Sequence, residues 1–294
     1  MADAAPMSTV EPSTPAPRVI TPGRRSLELL GNLTLREIRA QYKRTALGRL
    51  WSFINPLATI GIYSLVFATI MRITIPPGVN SGIHVFALFL AAALIPWNFI
   101  SGGIMGGMNA LVANAGLLSK VYFPRWIPVV ATVLAMAVTF GIELSVLTVV
   151  MALVGGPEVL LFIPVLAVLA LLTTLFVAGV ALMMSVALVY FRDTQHFMAL
   201  FMQVWFYLTP IVYPITQVTN QQQSLDSSGR HIPLEFIWGL NPAFRFTDAY
   251  RQVLYDFQMP SWQDWVGCLA WTAIVLGLGI AVFRRSSARL VEEL

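Results

Sequence analysis

Basic side chains are concentrated in one short stretch of the chain, where they could bind anions. The segment from residue 35 to residue 51 holds five of the eighteen lysines and arginines and ends where an apolar run begins. These five are Arg36, Arg39, Lys43, Arg44 and Arg49. Cations carried on a helix form charge-assisted hydrogen bonds with phosphate oxygens. The stretch therefore predicts contact with phosphate-bearing groups such as lipid headgroups.

Helical periodicity would position these cations on one face. The apolar residues that share an arc of roughly 140° on a helical wheel are Leu27, Leu30, Leu35, Ile38 and Tyr42. Arg36, Arg39 and Lys43 face away from this arc, and Leu29 and Leu33 fall outside it. We predict a basic amphipathic helix that lies in the cytoplasmic membrane surface. This helix either serves only as an anchor or also contacts another protein.

No catalytic or metal-binding pattern accompanies the cations. A single cysteine, Cys268, and three scattered histidines exclude a disulfide framework and a cysteine-based zinc site. The only two lysines, Lys43 and Lys120, do not belong to a G-x-x-x-x-G-K-[ST] phosphate loop. Nucleophile-elbow, zincin and paired-carboxylate patterns are also absent. We expect a chain that is not an enzyme, binds no cofactor or metal itself and has no nucleic-acid partner.

Long apolar runs indicate the element that must carry these residues, which is the membrane-spanning helix. The mean hydropathy is +0.74, and 57% of the residues are hydrophobic. A helix needs about 20 apolar residues to cross a bilayer. The six segments that qualify are 50–73, 83–105, 127–154, 159–191, 197–216 and 265–283. The fourth segment is longer than a bilayer requires, so we expect it to tilt, bend at Pro164 or project into water.

The distribution of basic residues orients these spans. Fourteen of the eighteen cations lie on one side of the membrane: before the first span, between spans two and three, between spans four and five, or after the sixth span. The other four lie on the opposite side. Because cytoplasmic loops carry the excess of lysine and arginine, both termini are predicted to be cytoplasmic. We expect a multi-pass protein of the bacterial plasma membrane. Residues 1–22, rich in proline and without aromatic residues, are predicted to be a disordered tail, and residues 284–294 a cytoplasmic tail.

One carboxylate falls at membrane depth. Glu143 lies seventeen residues into the third span, whereas ion-driven carriers usually hold several ionisable groups within the membrane. Glu143 either forms a hydrogen bond between helices, stays protonated or takes part in transport. The source of energy for transport is not evident in this chain.

Five stretches, in order, resemble one known family. They read REIRAQYKRTALGRLWSFINPL (36–57), NAGLLSKVYFPRWIPV (114–129), VYFRDTQHF (189–197), FYLTPIVYP (206–214) and WGLNPAFRFTDAYRQVL (238–254). Together they resemble the membrane subunit of type-two ABC exporters of lipid-linked polysaccharides, the Wzm-like permeases for O-antigen, teichoic acid and mycobacterial galactan. The resemblance implies an all-α, six-span subunit over residues 50–283 that forms a homodimer. It also implies two copies of a separate cytoplasmic ATPase, which would bind the ATP and magnesium.

The same resemblance implies roles at the cytoplasmic face. Residues 23–49 would form the interface helix, and the segment 109–125 would be the coupling helix that seats in the ATPase. The residues expected to contact the ATPase are Leu117, Leu118, Lys120, Tyr122, Phe123 and Arg125. The alternative is a connector that packs against its own bundle. The cations expected to bind the diphosphate of a polyprenyl-linked substrate are Arg36, Arg39, Lys43 and Arg49.

Aromatic residues in the spans are candidates for the substrate path, since their rings can stack on sugar faces. These residues are Tyr63, Phe67, Trp97, Phe201, Trp205 and Tyr213. The alternative is that they form interfacial belts or ordinary packing. Ser101–Met108 also contains two overlapping small-x-x-x-small pairs, which permit close helix packing.

The long loop 217–264 is the only sizeable region predicted outside the cell. Within it, Phe246, Tyr250 and Leu254 recur every four residues, which predicts a short amphipathic helix. The resemblance implies that this helix acts as an outer gate; a surface cap is the alternative.

Three other functions stay open at this stage. The chain could be a drug- or lipid-exporting permease of the same superfamily, an ion-driven carrier or a membrane enzyme acting on lipid-linked sugars. If it exports a polysaccharide, galactan is one candidate cargo.

Overall fold

The computed structural model describes residues 22–40, 48–118, 123–227 and 234–286. All regular elements in these ranges are helical. The longer helices are α1 (Pro22–Ala40), α2 (Trp51–Tyr63), α3 (Phe86–Ala113), α5 (Trp126–Gly155), α6 (Ile163–Tyr190), α7 (Thr194–Leu208) and α11 (Trp262–Ser286). The shorter helices are α4 (Ala115–Leu118), α8 (Ile215–Ser227), α9 (Leu234–Leu240) and α10 (Pro242–Leu254). The all-α fold class is therefore confirmed for the described residues.

Four helical segments in the described residues are long and apolar enough to cross a membrane. They are Phe86–Ala113, Trp126–Gly155, Pro157–Tyr190 and Trp262–Ser286. The first predicted span corresponds to α2 and a π-helical segment, Ser64–Ile70, that continues it. The fifth corresponds to α7, which has 15 residues and is about 22 Å long. This is shorter than a hydrocarbon core of about 30 Å.

The fifth helix ends earlier than we predicted for a physical reason. Thr209 has an extended backbone, with ψ 130°, because the ring of Pro210 disfavours helical geometry in the preceding residue. Pro210 also lacks the N–H that would continue the helix. Residues 209–213 therefore form a bend and not the last turns of a helix. The predicted helical boundary at residue 216 was wrong.

The fourth predicted span is divided into two elements. Gly156, with φ +117°, ends α5 in a conformation that favours glycine. A 3₁₀ helix follows over Pro157–Phe162, and α6 then begins with Pro164 in its first turn. Proline is tolerated at this position because the first helical N–H groups have no intrahelical partner. The excess length of the predicted span is thus taken up by the 3₁₀ segment.

α3 is the central helix of the bundle. Its buried side chains run from Phe86 to Leu111, and α5, α6, α7 and α10 all pack against it. Small residues set the helix spacing: a Cβ added to Gly103 would lie 2.6 Å from Val177, and one added to Gly107 would lie 2.6 Å from Ala181. The predicted close approach to α6 therefore involves this one glycine pair. In the other pair, a Cβ added to Gly106 would lie 2.6 Å from Met136 of α5, whereas Gly102 faces open space.

The connecting segments gather at the two ends of the bundle. At one end, Asn80 donates from its backbone N–H to the carbonyl of Asp256 at 3.0 Å, and its side chain donates to the carbonyl of Phe257 at 3.0 Å. At the other end, α1 packs along α5. Which end faces the cytoplasm stays a prediction.

Candidate functional site

Seven aromatic rings form a continuous series across the surface of α2, α3 and α7, which we call the aromatic row. In order, they are Phe197, Phe201, Trp205, Trp97, Phe206, Tyr63 and Phe67. The distances between consecutive ring centroids lie between 5.3 Å and 6.3 Å. These spacings fall in the range of favourable aromatic contacts. The row starts in the first turn of α7 and ends in the π-helical continuation of α2.

The rings differ in how far they are accessible. Trp97 is buried, with 5% of its surface exposed, and it supports Trp205 and Phe206 from below. Phe201 is 42% exposed and Phe197 67% exposed, while Tyr63 and Phe67 are partly buried. The chain on its own therefore presents an aromatic surface supported by a buried tryptophan.

The structure brings five of the six predicted path residues into the row. Tyr213 is the exception, because it lies beyond the bend at the end of α7. Its hydroxyl donates to the backbone carbonyl of Tyr207 at 3.1 Å. Phe206, which we did not predict, lies between Trp97 and Tyr63; its ring stacks on Tyr63 at 6.0 Å. Phe201 and Trp205 follow the four-residue spacing on α7, whereas the adjacent Phe206 does not, and we therefore did not predict it.

One side chain connects the aromatic row to α10. Asn241, the N-cap of α10, accepts a hydrogen bond from the indole Nε1 of Trp205 at 2.8 Å and another from the backbone N–H of Ala243 at 3.0 Å. Its Nδ2 donates to the hydroxyl of Thr209 at 3.1 Å. A single amide therefore joins the start of α10 to the last turn of α7, and sequence patterns gave no signal for this contact beyond a common N-cap residue.

The predicted gate residues are the buried face of α10. Phe246, Tyr250 and Leu254 are each 0% exposed. Phe246 packs on Phe176 of α6 at 5.2 Å between ring centroids. The hydroxyl of Tyr250 lies 3.1 Å from the hydroxyl of Thr173, also on α6. The predicted amphipathic helix is present, and these three residues anchor it in the core.

A buried arginine holds the bend after α7. Arg251 is 5% exposed, and its Nη2 donates to the carbonyls of Pro210 and Ile211, both at 3.0 Å. Its guanidinium lies 4.0 Å from the centre of the Phe89 ring. Burial lowers the pKa of Arg251 to about 10, so the side chain stays charged at neutral pH. Arg251 of α10 thus supplies the hydrogen-bond donor for two carbonyls of the bend and stabilises it.

A second polar cluster joins α10 to the start of α11. Asp264 is 2% exposed. Its Oδ1 accepts from Arg245 at 3.0 Å, and its Oδ2 accepts from Gln252 at 2.7 Å and from the hydroxyl of Ser261. Gln252 also donates to Asp248 at 2.7 Å. Burial, and secondarily the charge of Asp264, raise the pKa of Asp248 to about 6.

The described part of the basic segment lies on α1. Leu30 and Leu33 pack against the core, whereas Leu27 is 66% and Leu35 51% exposed. The predicted apolar stripe was therefore rotated, because Leu33, which we placed off it, faces the bundle. Arg36 forms an ion pair with Glu37 at 2.7 Å and donates to the side chain of Asn114, where α3 ends. Arg39 is exposed, Lys43 lies outside the described residues, and the side chain of Arg49 is not described.

The predicted coupling segment is only partly described. α3 continues through Asn109 to Ala113, and the short α4 follows after Asn114. Leu118 and Phe123 are each 8% exposed and belong to the core of this chain. Leu117 and Arg125 are partly exposed, and Lys120 and Tyr122 lie outside the described residues. Packing of Leu118 and Phe123 matches the alternative of a connector held by its own bundle.

Two further expectations concern a metal site and the carboxylate of Glu143. The described residues contain no group of three or more potential metal ligands. Glu143 is partly buried on α5, and no hydrogen bond or ion pair to it is found within the described part of the chain.

Sequence comparison assigns the chain to a class of transporters. Residues 28–225 match the family described as ABC-2 type transporter, and this match covers more than half of the chain. The chain belongs to the ABC-2 type transporter family.

Two kinds of relatives match almost the whole chain. It is 27% identical over 266 residues to an O-antigen export system permease protein of Myxococcus xanthus, which covers 90% of this chain and 95% of the relative. A Klebsiella pneumoniae protein of the same name is 26% identical over 270 residues, covering 91% and 95%. A polysialic acid transport protein of Escherichia coli is 23% identical over 266 residues, covering 88% and 94%.

Proposed function

We propose that this chain is the permease subunit of an ABC transporter that exports a lipid-diphosphate-linked polysaccharide across the plasma membrane. The aromatic row is the observation that carries the proposal. Its rings are arranged along α7 and α2, so that a sugar chain could pass from one ring to the next. Aromatic faces hold sugars without deep polar sites, which suits a surface along which a polymer must move. The names of the relatives support a polysaccharide as the cargo.

The proposal includes a second copy of the chain. α7 exposes Phe197, Leu200, Phe201, Val204 and Tyr207, and it packs on the bundle mainly through α3 and α6. A second subunit that faced this surface would enclose a path between the two aromatic rows. α2, its π-helical continuation and α7 would then be the two further spans of a six-span subunit.

A separate ATPase would drive export from the end of the bundle that holds α1. Family membership implies such a partner, and Arg36 ties α1 to the end of α3, so that both would move together when the partner pushes on the coupling segment. Leu117, Lys120, Tyr122 and Arg125 are the proposed contact residues. Arg39, with Lys43 and Arg49, would meet the substrate diphosphate, while Arg36 holds the interface helix in place.

At the other end, α10 would act as the outer gate. Its buried face is fixed by Phe246, Tyr250 and Leu254, so the mobile part of the gate would be its surroundings: the bend held by Arg251 and the joint at Asn241. A change in the position of Trp205 would reach α10 through Asn241. Galactan is one candidate cargo among the glycans that such a path could carry.

The experiment is depletion of the protein followed by analysis of the lipid-linked glycans that accumulate inside the cell. Complementation with Trp205→Ala or Phe206→Ala should lower export about three- to tenfold each, since an aromatic contact contributes about 0.5–1.5 kcal/mol. Trp262→Ala is the matched control, because Trp262 is 72% exposed at the start of α11 and has no place in the row.

Two outcomes would reject the proposal. If depletion causes no lipid-linked glycan to accumulate but changes the efflux of a drug or a lipid, the chain is a permease for that cargo. If the two row variants export as well as Trp262→Ala does, the aromatic row does not form the path.

A further inference from the structure

An apolar groove lies away from the aromatic row, between α5, α6 and α11. Its volume is about 400 Å³, and its walls include Val130 of α5, Ala178 and Leu182 of α6, and Leu276 and Ile280 of α11. All three helices belong to the segments that are long and apolar enough to cross a membrane. The groove therefore lies along three of the candidate membrane spans.

The groove opens at the end of the bundle that carries the basic residues. Trp126, the first residue of α5, and Arg284, in the last turn of α11, both line it. Leu276 lies eight residues before Arg284, which corresponds to about 12 Å along a helix. The groove thus runs from the ends of the helices into the apolar layer.

The chemistry of the lining changes along its length. Below the mouth, the lining side chains are aliphatic or aromatic, and no acidic residue contributes to the groove. At the mouth, Arg284 lines the groove and is exposed. Trp126 is partly exposed at the same level, where tryptophan side chains tend to lie at the membrane interface. An apolar slot with a cation and an indole at its opening is complementary to one molecule of an anionic lipid.

We propose that this groove binds an anionic phospholipid of the inner leaflet. One acyl chain would lie along Ala178, Leu182, Leu276 and Ile280, and the phosphate and anionic headgroup would lie near Arg284. Basic pockets between transmembrane helices on the cytoplasmic side are known to bind anionic headgroups. The site is separate from the aromatic row and does not depend on export.

The structure also explains why a space remains there. α6 and α11 cross in close contact at Gly179 and Gly279, where an added Cβ on Gly279 would lie 2.3 Å from the carbonyl oxygen of Gly179. Ala178, next to this crossing, has a side chain too small to reach across to α5. A chain of methylene groups fills such a slot without requiring any polar partner.

Native mass spectrometry of the full-length protein, released from nanodiscs that contain equal amounts of phosphatidylglycerol and phosphatidylcholine, tests the proposal. We expect the wild-type protein to retain phosphatidylglycerol in preference to phosphatidylcholine by about fivefold, the effect of one interfacial arginine. Arg284→Gln should abolish the preference, and Ala178→Phe should reduce the retention of both lipids by filling the slot.

Matched controls are available for both variants. Arg192→Gln removes an exposed arginine after α6, and Leu171→Phe enlarges a side chain that is 60% exposed on α6; both should retain lipid as the wild-type protein does. Equal retention of the two lipids by the wild-type protein would overturn the proposal. So would unchanged retention in both Arg284→Gln and Ala178→Phe, or retention only of a polyprenyl diphosphate added to the nanodiscs. If Ala178→Phe does not fold, Arg284→Gln alone decides.

Discussion

At the residue scale, the side chain of Asn241 forms hydrogen bonds that join α10 to the end of α7. It caps α10, accepts the indole hydrogen bond of Trp205 and donates to Thr209. Each of these bonds joins a different part of the end of the bundle that holds α10. Its loss would free the start of α10 and leave the Nε1 of Trp205 without an acceptor in a partly buried position.

Asn241→Ala should therefore lower the free energy of unfolding by about 2–3 kcal/mol, the sum of a lost N-cap and an unsatisfied donor. Asn241→Asp is the matched control, because a carboxylate can still cap α10 and accept from Trp205. Thermal unfolding of the purified protein in detergent measures the difference. Equal losses in the two variants would contradict the assignment of Asn241 as the acceptor.

Prediction of the site from sequence was uneven at this scale. Tyr63, Phe67, Trp97, Phe201 and Trp205 were predicted from residue type and from spacing, and they do meet. Phe206 was missed because a four-residue interval on α7 selects one face of the helix. The row passes from α7 to α2 through Phe206, which lies next to that face and stacks on Tyr63. Arg251 and Asp264 could not be predicted as partners, since the residues they hold lie in segments distant along the chain.

At the element scale, the crossing of α6 and α11 depends on glycine. A Cβ at Gly279 would lie 2.3 Å from the backbone oxygen of Gly179, so the helices would have to move apart. Gly277, two residues earlier on the same helix, has nothing within 4 Å of an added Cβ. The two positions therefore form a natural pair for comparison.

Gly279→Ala should destabilise the protein by about 1–3 kcal/mol, as expected when a packed contact is overfilled. Gly277→Ala should be neutral or slightly stabilising, because alanine favours a helix over glycine by about 1 kcal/mol. The midpoint of thermal unfolding of each variant checks this. A similar shift in both would show that propensity, and not the crossing, determines the effect.

Elements were predicted better than their orientations. The four long apolar helices correspond to predicted spans, and the amphipathic α10 lies where the four-residue spacing placed it. The contact face of α1 was predicted only in part: Leu30 of the predicted arc packs against the core, but so does Leu33, which lies off the arc, whereas Leu27 and Leu35 are exposed. Periodicity reports which face is apolar, and only the neighbouring helix decides which part of that face becomes buried.

At the scale of the whole molecule, orientation in the membrane can be tested directly. Val79 is 69% exposed at the end of the bundle that holds α10, and Arg192 is exposed between α6 and α7. In a Cys268→Ala background, we expect a membrane-impermeant maleimide to label Val79→Cys on intact spheroplasts. Arg192→Cys should be labelled only after permeabilisation. The reverse pattern would show that the basic end of the molecule faces outward.

The amino-acid sequence by itself determined that this chain crosses a membrane with helices, that basic residues lie mainly at one end, and that it resembles a family of exporters. These properties are local or additive: hydropathy sums along a segment, charge is counted by loop, and motifs are read in order. The tertiary structure decided which rings form the row, how Asn241 and Arg251 hold the end of the bundle around α10, and where an apolar groove remains. Such contacts depend on the rotation and separation of helices that are far apart along the chain, and no segment carries that information alone.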